Sequence, residues 1–220
     1  MTETWHQNRK HRNRAELVAA GRTLFLRRAF PGVTVKDVCE LAGISRVTYY
    51  KHFDSIDELA FEVQMEALEH MENFVKKTAA ETRWADGASL LRAMLEAWSL
   101  YAARSRDYMK FILLFDLHYD AYPPEKALRE RYRTFILEKK ERHFLNDALE
   151  AGIRDGSLRR DLDLRETGEF IFTAMMGLLQ KLSLAYVTDD DAGHETSDDR
   201  HRSISRRLID TILGSLRGEA

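Results

Sequence analysis

The stretch from Ser45 to Phe53 reads S-R-V-T-Y-Y-K-H-F and gathers a guanidinium, an ammonium, an imidazole and several hydroxyls into one short segment. Tyr49 and Phe53 are four residues apart, so on a helix they share a face and can pin it to a core. With that face turned inward, Arg46, Val47, Tyr50 and Lys51 point outward, Thr48 sits on the margin and His52 lies nearer the backbone side. Such a set suits the major groove of duplex DNA, which is about 12 Å wide and admits one helix. Arg46 at the helix start can chelate guanine O6 and N7, a contact worth ~1–3 kcal/mol of discrimination, and Val47 can meet a thymine methyl. Thr48, Tyr50 and His52 carry donors for phosphate oxygens, while Lys51 can serve bases or phosphates. Ser45 joins the candidate contacts.

The residues upstream must position that helix. Thr34 is a good N-cap for a short helix whose inner face is Val35, Val38, Cys39 and Ala42. Gly43 stops it, because glycine tolerates the left-handed geometry that closes a helix. Ile44 plugs the corner, and Cys39 is small enough for the crossing. Two short helices meeting at a tight turn form a helix-turn-helix. Lys36 and the Thr34 end can clamp the DNA backbone from the other side. A longer helix over about 13–29 precedes them, with Leu17, Gly21, Leu24 and Arg28 on one stripe and Phe30-Pro31-Gly32 ending it. Ser55 and Glu58 have capping-box spacing and open a fourth helix near Ile56, running through Leu59, Val63, Ala67 and Met71 towards Val75.

Charge points the same way. Residues 1–53 carry ten Lys and Arg against four Asp and Glu, a net +6, and the rest carry 24 against 32, a net −8. A basic head on an acidic body suits a polyanion partner for the head.

The whole chain has 220 residues with only three prolines and 11 glycines, and no run of strict alternation long enough for a strand, so the expected class is all-α. The longest strictly apolar run, Phe111 to Phe115, falls far short of the roughly 20 residues of a membrane span. The start, Met1 to Arg14, is polar and basic, unlike a secretory signal. One cysteine, Cys39, excludes an internal disulfide framework and a cysteine-rich zinc site. A cytoplasmic protein is the simplest reading. Further helices are expected over 87–104, 106–118, 124–155, 164–187 and 201–217, with 188–200 as an acidic loop.

The first 75 or so residues resemble the DNA-binding head of the tetracycline-repressor (TetR) family. The residues that carry the likeness are Thr34-Val35-Lys36-Asp37-Val38, Ala42-Gly43-Ile44-Ser45, Thr48-Tyr49-Tyr50-Lys51-His52-Phe53 and Asp57-Glu58-Leu59. The resemblance implies a three-helix head over 1–54, a linking helix over 55–77 and an all-helical domain over 78–220 that binds an effector and dimerises. It implies a ligand-responsive transcriptional regulator, expected to be a repressor, acting as a dimer on a quasi-palindromic operator, with Arg46, Val47, Thr48, Tyr50, Lys51 and His52 as groove and phosphate contacts supported by Thr34 and Lys36. Three positions depart from the family pattern. Ala29 stands where glycine is usual, Tyr49 where an aliphatic residue is frequent, and Ile56 where a phosphate-binding lysine is common. The basic residues Arg9, Lys10, Arg12 and Arg14 form a tail that either compensates in an adjacent groove or is merely solvated.

Beyond the head, aromatic residues cluster between Trp84 and Phe144. Trp98, Tyr101, Phe111, Phe115, His118, Tyr119 and Phe135 are candidates for the wall of a pocket for a flat or lipophilic ligand, with Asp116 and His143 as further polar partners. Plain core is the alternative. In the last two helices Phe172, Met175, Leu178, Leu179, Leu182 and Ala185, with Leu208, Ile212 and Leu216, are candidates for half of a four-helix bundle across a two-fold axis. The alternative is the core of one subunit. No catalytic set, glycine-rich phosphate loop or cofactor signature stands out. Asp116-x-His118-x-Asp120 does not share one helix face, so no metal is assigned. A helix-turn-helix protein controlled by a protein partner, without an effector, is the rival reading.

Overall fold

The computed structural model describes residues 2–28, 32–81, 83–141, 143–184 and 197–217. Ten helices follow one another among them. They are α1 Thr2–Arg27, α2 Val35–Ala42, α3 Arg46–Tyr49, α4 Ile56–Ala80, α5 Gly87–Arg104, α6 Arg106–Ala121, α7 Lys126–Glu141, α8 Asn146–Asp155, α9 Leu164–Ser183 and α10 Ser197–Leu216. No helix among the described residues is long and apolar enough to cross a membrane, and no group of three His, Cys, Asp or Glu there could hold a metal ion.

Two compact units divide the chain. Residues 1–68 and 110–132 form the first, and residues 69–109 and 133–220 the second. Consequently α4, α6 and α7 each give residues to both units.

The first unit closes around Leu17, Val38, Tyr49, Phe53, Leu59 and Val63, all at or near zero exposure. Burying each side chain contributes roughly 1.5–3 kcal/mol. Gly21 lets α1 lie close to α4, because a methyl group there would sit 2.8 Å from the Leu59 Cδ2. Phe61 of α4 meets Phe115, Tyr119 and Tyr132 at ring distances of 4.8, 4.7 and 5.0 Å. Phe25 of α1 stacks on Phe111 at 5.9 Å. Polar ties join the same elements: the Tyr119 hydroxyl donates to Asp57 (2.8 Å) and Arg131 pairs with Glu58 (2.6 Å).

In the second unit α5 packs on α8, α9 and α10. The crossing of α5 and α8 is so close that a methyl on Gly87 would overlap the Gly152 backbone. Side chains satisfy the free N–H groups at the start of α5. Asp155 accepts from Gly87 (2.7 Å), Ser157 from Ala88 (3.0 Å) and Asp86 from Ser89 (2.7 Å).

Several boundaries differ from the expectation. Residues 2–12 are not a tail but the first turns of α1. A helix already nucleated at Asn13 extends at little cost, even where no apolar face announces it. The helix expected over 124–155 is two, because the chain turns before Asn146 to bury Phe144 and Leu145. The α-helix expected through Phe53 is only α3, followed by a turn at Tyr50–His52. Helix α6 continues to Ala121, and α10 begins at Ser197, so residues 197–200 of the expected loop are helical. Residues 185–196, with Ala185 and most of that loop, lie outside the described residues, as do Ala29, Phe30 and Pro31.

Candidate nucleic-acid interface

The corner is built by local rules. Thr34 caps α2 in a reciprocal capping box. Its hydroxyl accepts from the Asp37 N–H (3.3 Å) and donates to the Asp37 carboxylate (2.5 Å), which also accepts from the Thr34 N–H (2.9 Å). These bonds hold the Asp37 carboxyl below the usual carboxylate range, with the Thr34 hydroxyl as the largest cause. The T-V-K-D spacing carries this signal, with Asp37 as the second half of the box that Thr34 opens. Gly43 closes α2 at φ 65°, a left-handed geometry that costs glycine nothing. Val38 and Cys39 are buried behind it, and burial pushes the Cys39 thiol up.

Ser45 caps α3, accepting from the Thr48 N–H at 3.2 Å, and its hydroxyl lies 3.0 Å from that of Thr48. The turn after α3 stays hydrogen-bonded, with Tyr50 N–H donating to the Arg46 carbonyl and Phe53 N–H to that of Tyr49. Tyr49 is fully buried, its ring 5.7 Å from Phe53, and its hydroxyl donates to the Ser55 carbonyl at 2.9 Å. Burial pushes that phenol well above its ordinary range. Ser55 caps α4 through the Glu58 N–H (3.1 Å), but the Glu58 carboxylate accepts from Asp54 N–H (2.8 Å) rather than from Ser55.

What this corner leaves outside is Arg46, Val47, Tyr50 and Lys51, with Val47 72% and Tyr50 55% exposed. Thr48 and His52 are half-buried on the flanks, and Thr34, Lys36 and Ser45 are exposed. Lys36 lies 3.7 Å from Glu40. An exposed valine on α3 and an exposed tyrosine on the turn that follows give a protein an apolar contact surface with no core to fill. Positive charge gathers around it: the His52 imidazole is pushed down by burial first, then by Lys10, Arg14 and Lys51. The same field that disfavours an imidazolium favours phosphate. Lys10 and Arg14 therefore belong to the patch, although the sequence offered them as a separate tail. Arg14 is not free to reach away: it pairs with Glu62 at 2.8 Å and lies over the Phe53 ring at 5.1 Å. Arg12 lies 3.6 Å from Glu16.

The seven aromatic pocket candidates are divided between the two units. Phe111, Phe115, His118 and Tyr119 lie in the first unit, and Trp98, Tyr101 and Phe135 in the second. Phe111 and Phe115 are core against Phe25 and Phe61. Tyr101 is buried against Phe74 and Tyr108, its hydroxyl 3.1 Å from His70 Nδ1. Trp98 packs on Phe144 and Phe172, and His143 on the same two rings. The Trp98 indole N–H and the His143 Nε2 are buried without a hydrogen-bond partner among the described residues. Burial holds the His143 imidazole down at about 4, and its Nδ1 accepts from the Leu145 N–H at 3.3 Å. The proton of this neutral ring then sits on Nε2.

The dimer candidates divide likewise. Met175, Leu179, Ile212 and Leu216 pack inside the subunit at no more than 4% exposure, and Phe172 covers Trp98. This division follows from helical phase. The side of α9 that points outward carries Phe170 (55% exposed), Thr173 and Gly177, flanked by Leu178 and Leu182, and α10 presents Ile204 beside half-buried Leu208.

Comparison with known proteins bears on the corner first. Residues 17–63 match the family model of bacterial regulatory proteins, tetR family, a span that holds α2, α3 and their supports in α1 and α4. The HTH-type transcriptional repressor KstR2 of Rhodococcus jostii (strain RHA1) is 27% identical over 164 residues, 74% of this chain and 76% of that protein. The fold is shared over more of the length. The ketosteroid transcriptional regulator KstR2 of Mycobacterium tuberculosis superposes with a TM-score of 0.55 at 19% identity, over 94% of this chain and 95% of that one. A transcriptional regulator of Pseudomonas aeruginosa PAO1 does so at 0.66 and 19%, over 91% and 90%. An all-helical chain whose basic corner holds Arg46, Val47, Tyr50 and Lys51 to solvent, and whose corner matches the tetR family model over residues 17–63, is a DNA-binding transcriptional regulator.

Proposed function

We propose that the protein is a repressor that binds a quasi-palindromic operator as a homodimer and leaves it when a small effector binds within residues 78–220. In this reading residues 1–54 meet DNA and residues 55–77 link them to the effector domain. One observation carries the DNA part: Tyr49, buried and bonded to Ser55, fixes a turn that holds Arg46, Val47, Tyr50 and Lys51 outward. Arg46 reads a guanine, Val47 a thymine methyl, and Thr48, Tyr50, Lys51 and His52 hold phosphates, with Thr34 and Lys36 across the groove. The hydroxyls of Thr34 and Ser45 already serve as caps, so these two act chiefly by shaping the backbone.

Pairing through the outward side of α9 and α10, around Phe170, Gly177, Ile204 and Leu208, would set two heads on successive major grooves. The effector is a flat or lipophilic molecule with an acceptor oxygen. Buried donors left unpaired cost about 1–3 kcal/mol each, and an oxygen offered to Trp98 Nε1–H or His143 Nε2–H removes that cost. Because α4, α6 and α7 belong to both units, an effector that prefers one arrangement shifts the population of DNA-competent dimers. The sign of regulation follows the Rhodococcus relative, named a repressor. A protein acting on chromosomal DNA works in the cytoplasm.

The test is selection of bound duplexes from a random pool, repeated with Arg46→Ala. The expected result is loss of discrimination at one symmetric pair of positions. Uniform weakening over all sequences would place Arg46 on phosphate and overturn the base-reading role.

A further inference from the structure

In the second unit a groove of about 570 Å³ opens where the ends of α5 and α9 meet the start of α10. Its size falls in the range of small-molecule sites. The floor is apolar, formed by Leu100, Leu179 and Ile209, the last two almost fully buried. Two buried hydroxyl residues, Ser183 and Ser205, also line it. Around this floor stand four arginines: Arg104 in the last turn of α5, Arg106 opening α6, and Arg202 and Arg206 one turn apart on α10. His201 adds an imidazole.

Among the described residues that line it, the opposing charge is small. Glu96 is the one carboxylate among the lining residues, and it lies 3.7 Å from Arg92. Asp199 and Asp210 flank Arg202 and Arg206 on the other side of α10, and Asp210 is held by Arg92 at 2.7 Å. The guanidinium groups of Arg104, Arg202 and Arg206 round one apolar trough repel each other unless an anion lies among them. Guanidinium is also the group best shaped to take two oxygens of a phosphate or carboxylate at once.

We propose that this groove binds an amphiphilic organic anion, an aliphatic or flat apolar body on Leu100, Leu179 and Ile209 with a phosphate or carboxylate head among Arg104, Arg202 and Arg206. The site is distinct from the Trp98 and His143 cluster, and its cationic rim is a feature that cluster lacks. It also survives pairing of subunits through α10. At 100° per residue Ile204 and Leu208 lie nearly half a turn from the centre of the Arg202–Arg206 side, so the arginine side of the mouth faces away from the proposed dimer contact, which the groove approaches at Leu182.

The experiment measures binding by calorimetry to the full-length protein, with dodecyl phosphate and dodecanoate below their micelle concentrations and with inorganic phosphate and dodecanol as controls. At least one amphiphilic anion binds at least tenfold tighter than either control. The variant Arg202→Gln/Arg206→Gln loses at least tenfold of that affinity, and Arg104→Gln, on the opposite wall, loses several-fold. Both variants keep the wild-type melting temperature and operator affinity measured without the probe. A tighter grip by dodecyl phosphate than by dodecanoate assigns a phosphate head, and the reverse a carboxylate head. The proposal fails if dodecanol binds as well as the anions, if inorganic phosphate binds as well as dodecyl phosphate, or if the arginine variants bind the amphiphiles as the wild type does. The last result would mean that carboxylates of this chain already satisfy the guanidinium groups.

Discussion

Tyr49 and Tyr50 are neighbours in sequence and opposites in environment, so truncating them one at a time separates folding from recognition. Tyr49 is fully buried and its hydroxyl donates to the Ser55 carbonyl. Removing a buried aromatic side chain costs about 3–5 kcal/mol, and Tyr49→Phe, which loses only the hydrogen bond, about 0.5–1.5 kcal/mol. Tyr50 is 55% exposed and touches Tyr49 edge-on at 5.4 Å. An aromatic pair of that kind contributes about 0.5–1.5 kcal/mol, which bounds the stability loss of Tyr50→Ala. On DNA the order reverses. A hydrogen bond from the Tyr50 hydroxyl to a phosphate is worth about 1.5–3 kcal/mol, so Tyr50→Ala weakens operator binding roughly ten- to hundredfold per head. Tyr49→Phe leaves it near the wild-type value. Urea unfolding reads the first quantity, and fluorescence anisotropy with a labelled operator at fixed salt reads the second. If Tyr50→Ala unfolds as easily as Tyr49→Ala, or binds the operator as tightly as the wild type, the assignment of inward and outward faces is wrong.

Gly87→Ala is expected to destabilise the second unit by about 1–3 kcal/mol or more, because α5 must move off the Gly152 backbone to admit the methyl. A fall in melting temperature of roughly 2–4 °C per kcal/mol checks it, and an unchanged melting curve contradicts the close crossing. Acid provides another handle through His143, whose imidazole is held down at about 4 against an ordinary 6.5. The unfolded chain therefore takes up a proton that the folded chain refuses, so the stability this residue contributes is present above the ordinary value and declines as pH falls from about 6.5 towards 4. His143→Phe should flatten that part of the stability–pH curve. A curve identical to the wild type's there would show that His143 is solvated.

The corner was legible because each of its parts obeys a local rule. Thr34 caps, Gly43 takes a positive φ, and Tyr49 and Phe53 recur at helical spacing, so no distant residue had to be known. Helix α1 escaped at its start because residues 2–12 have no apolar stripe to register as periodicity, while the energetics of extending a helix need none. The break between α7 and α8 escaped for a different reason. No glycine or proline marks it, and what drives it is the burial of Phe144 and Leu145 against other helices. The aromatic residues from Trp98 to Phe135 all carry helical spacing, yet spacing cannot say that Phe111 faces Phe25 while Trp98 faces Phe172. The side of α9 that points outward was not legible in the sequence because the helix is apolar nearly all round, which leaves its phase to packing.

That α4, α6 and α7 each belong to both units limits how such a regulator can be rebuilt. A chimera joined at residue 54 would give a foreign head Asp57 and Glu58 together with their natural mates Tyr119 and Arg131, while severing Phe25 from Phe111. Recombination that trades operator specificity between relatives must therefore carry a piece of residues 110–132 along with the first 68 residues, and a shuffled gene that ignores this inherits a mispacked seam instead of a new address.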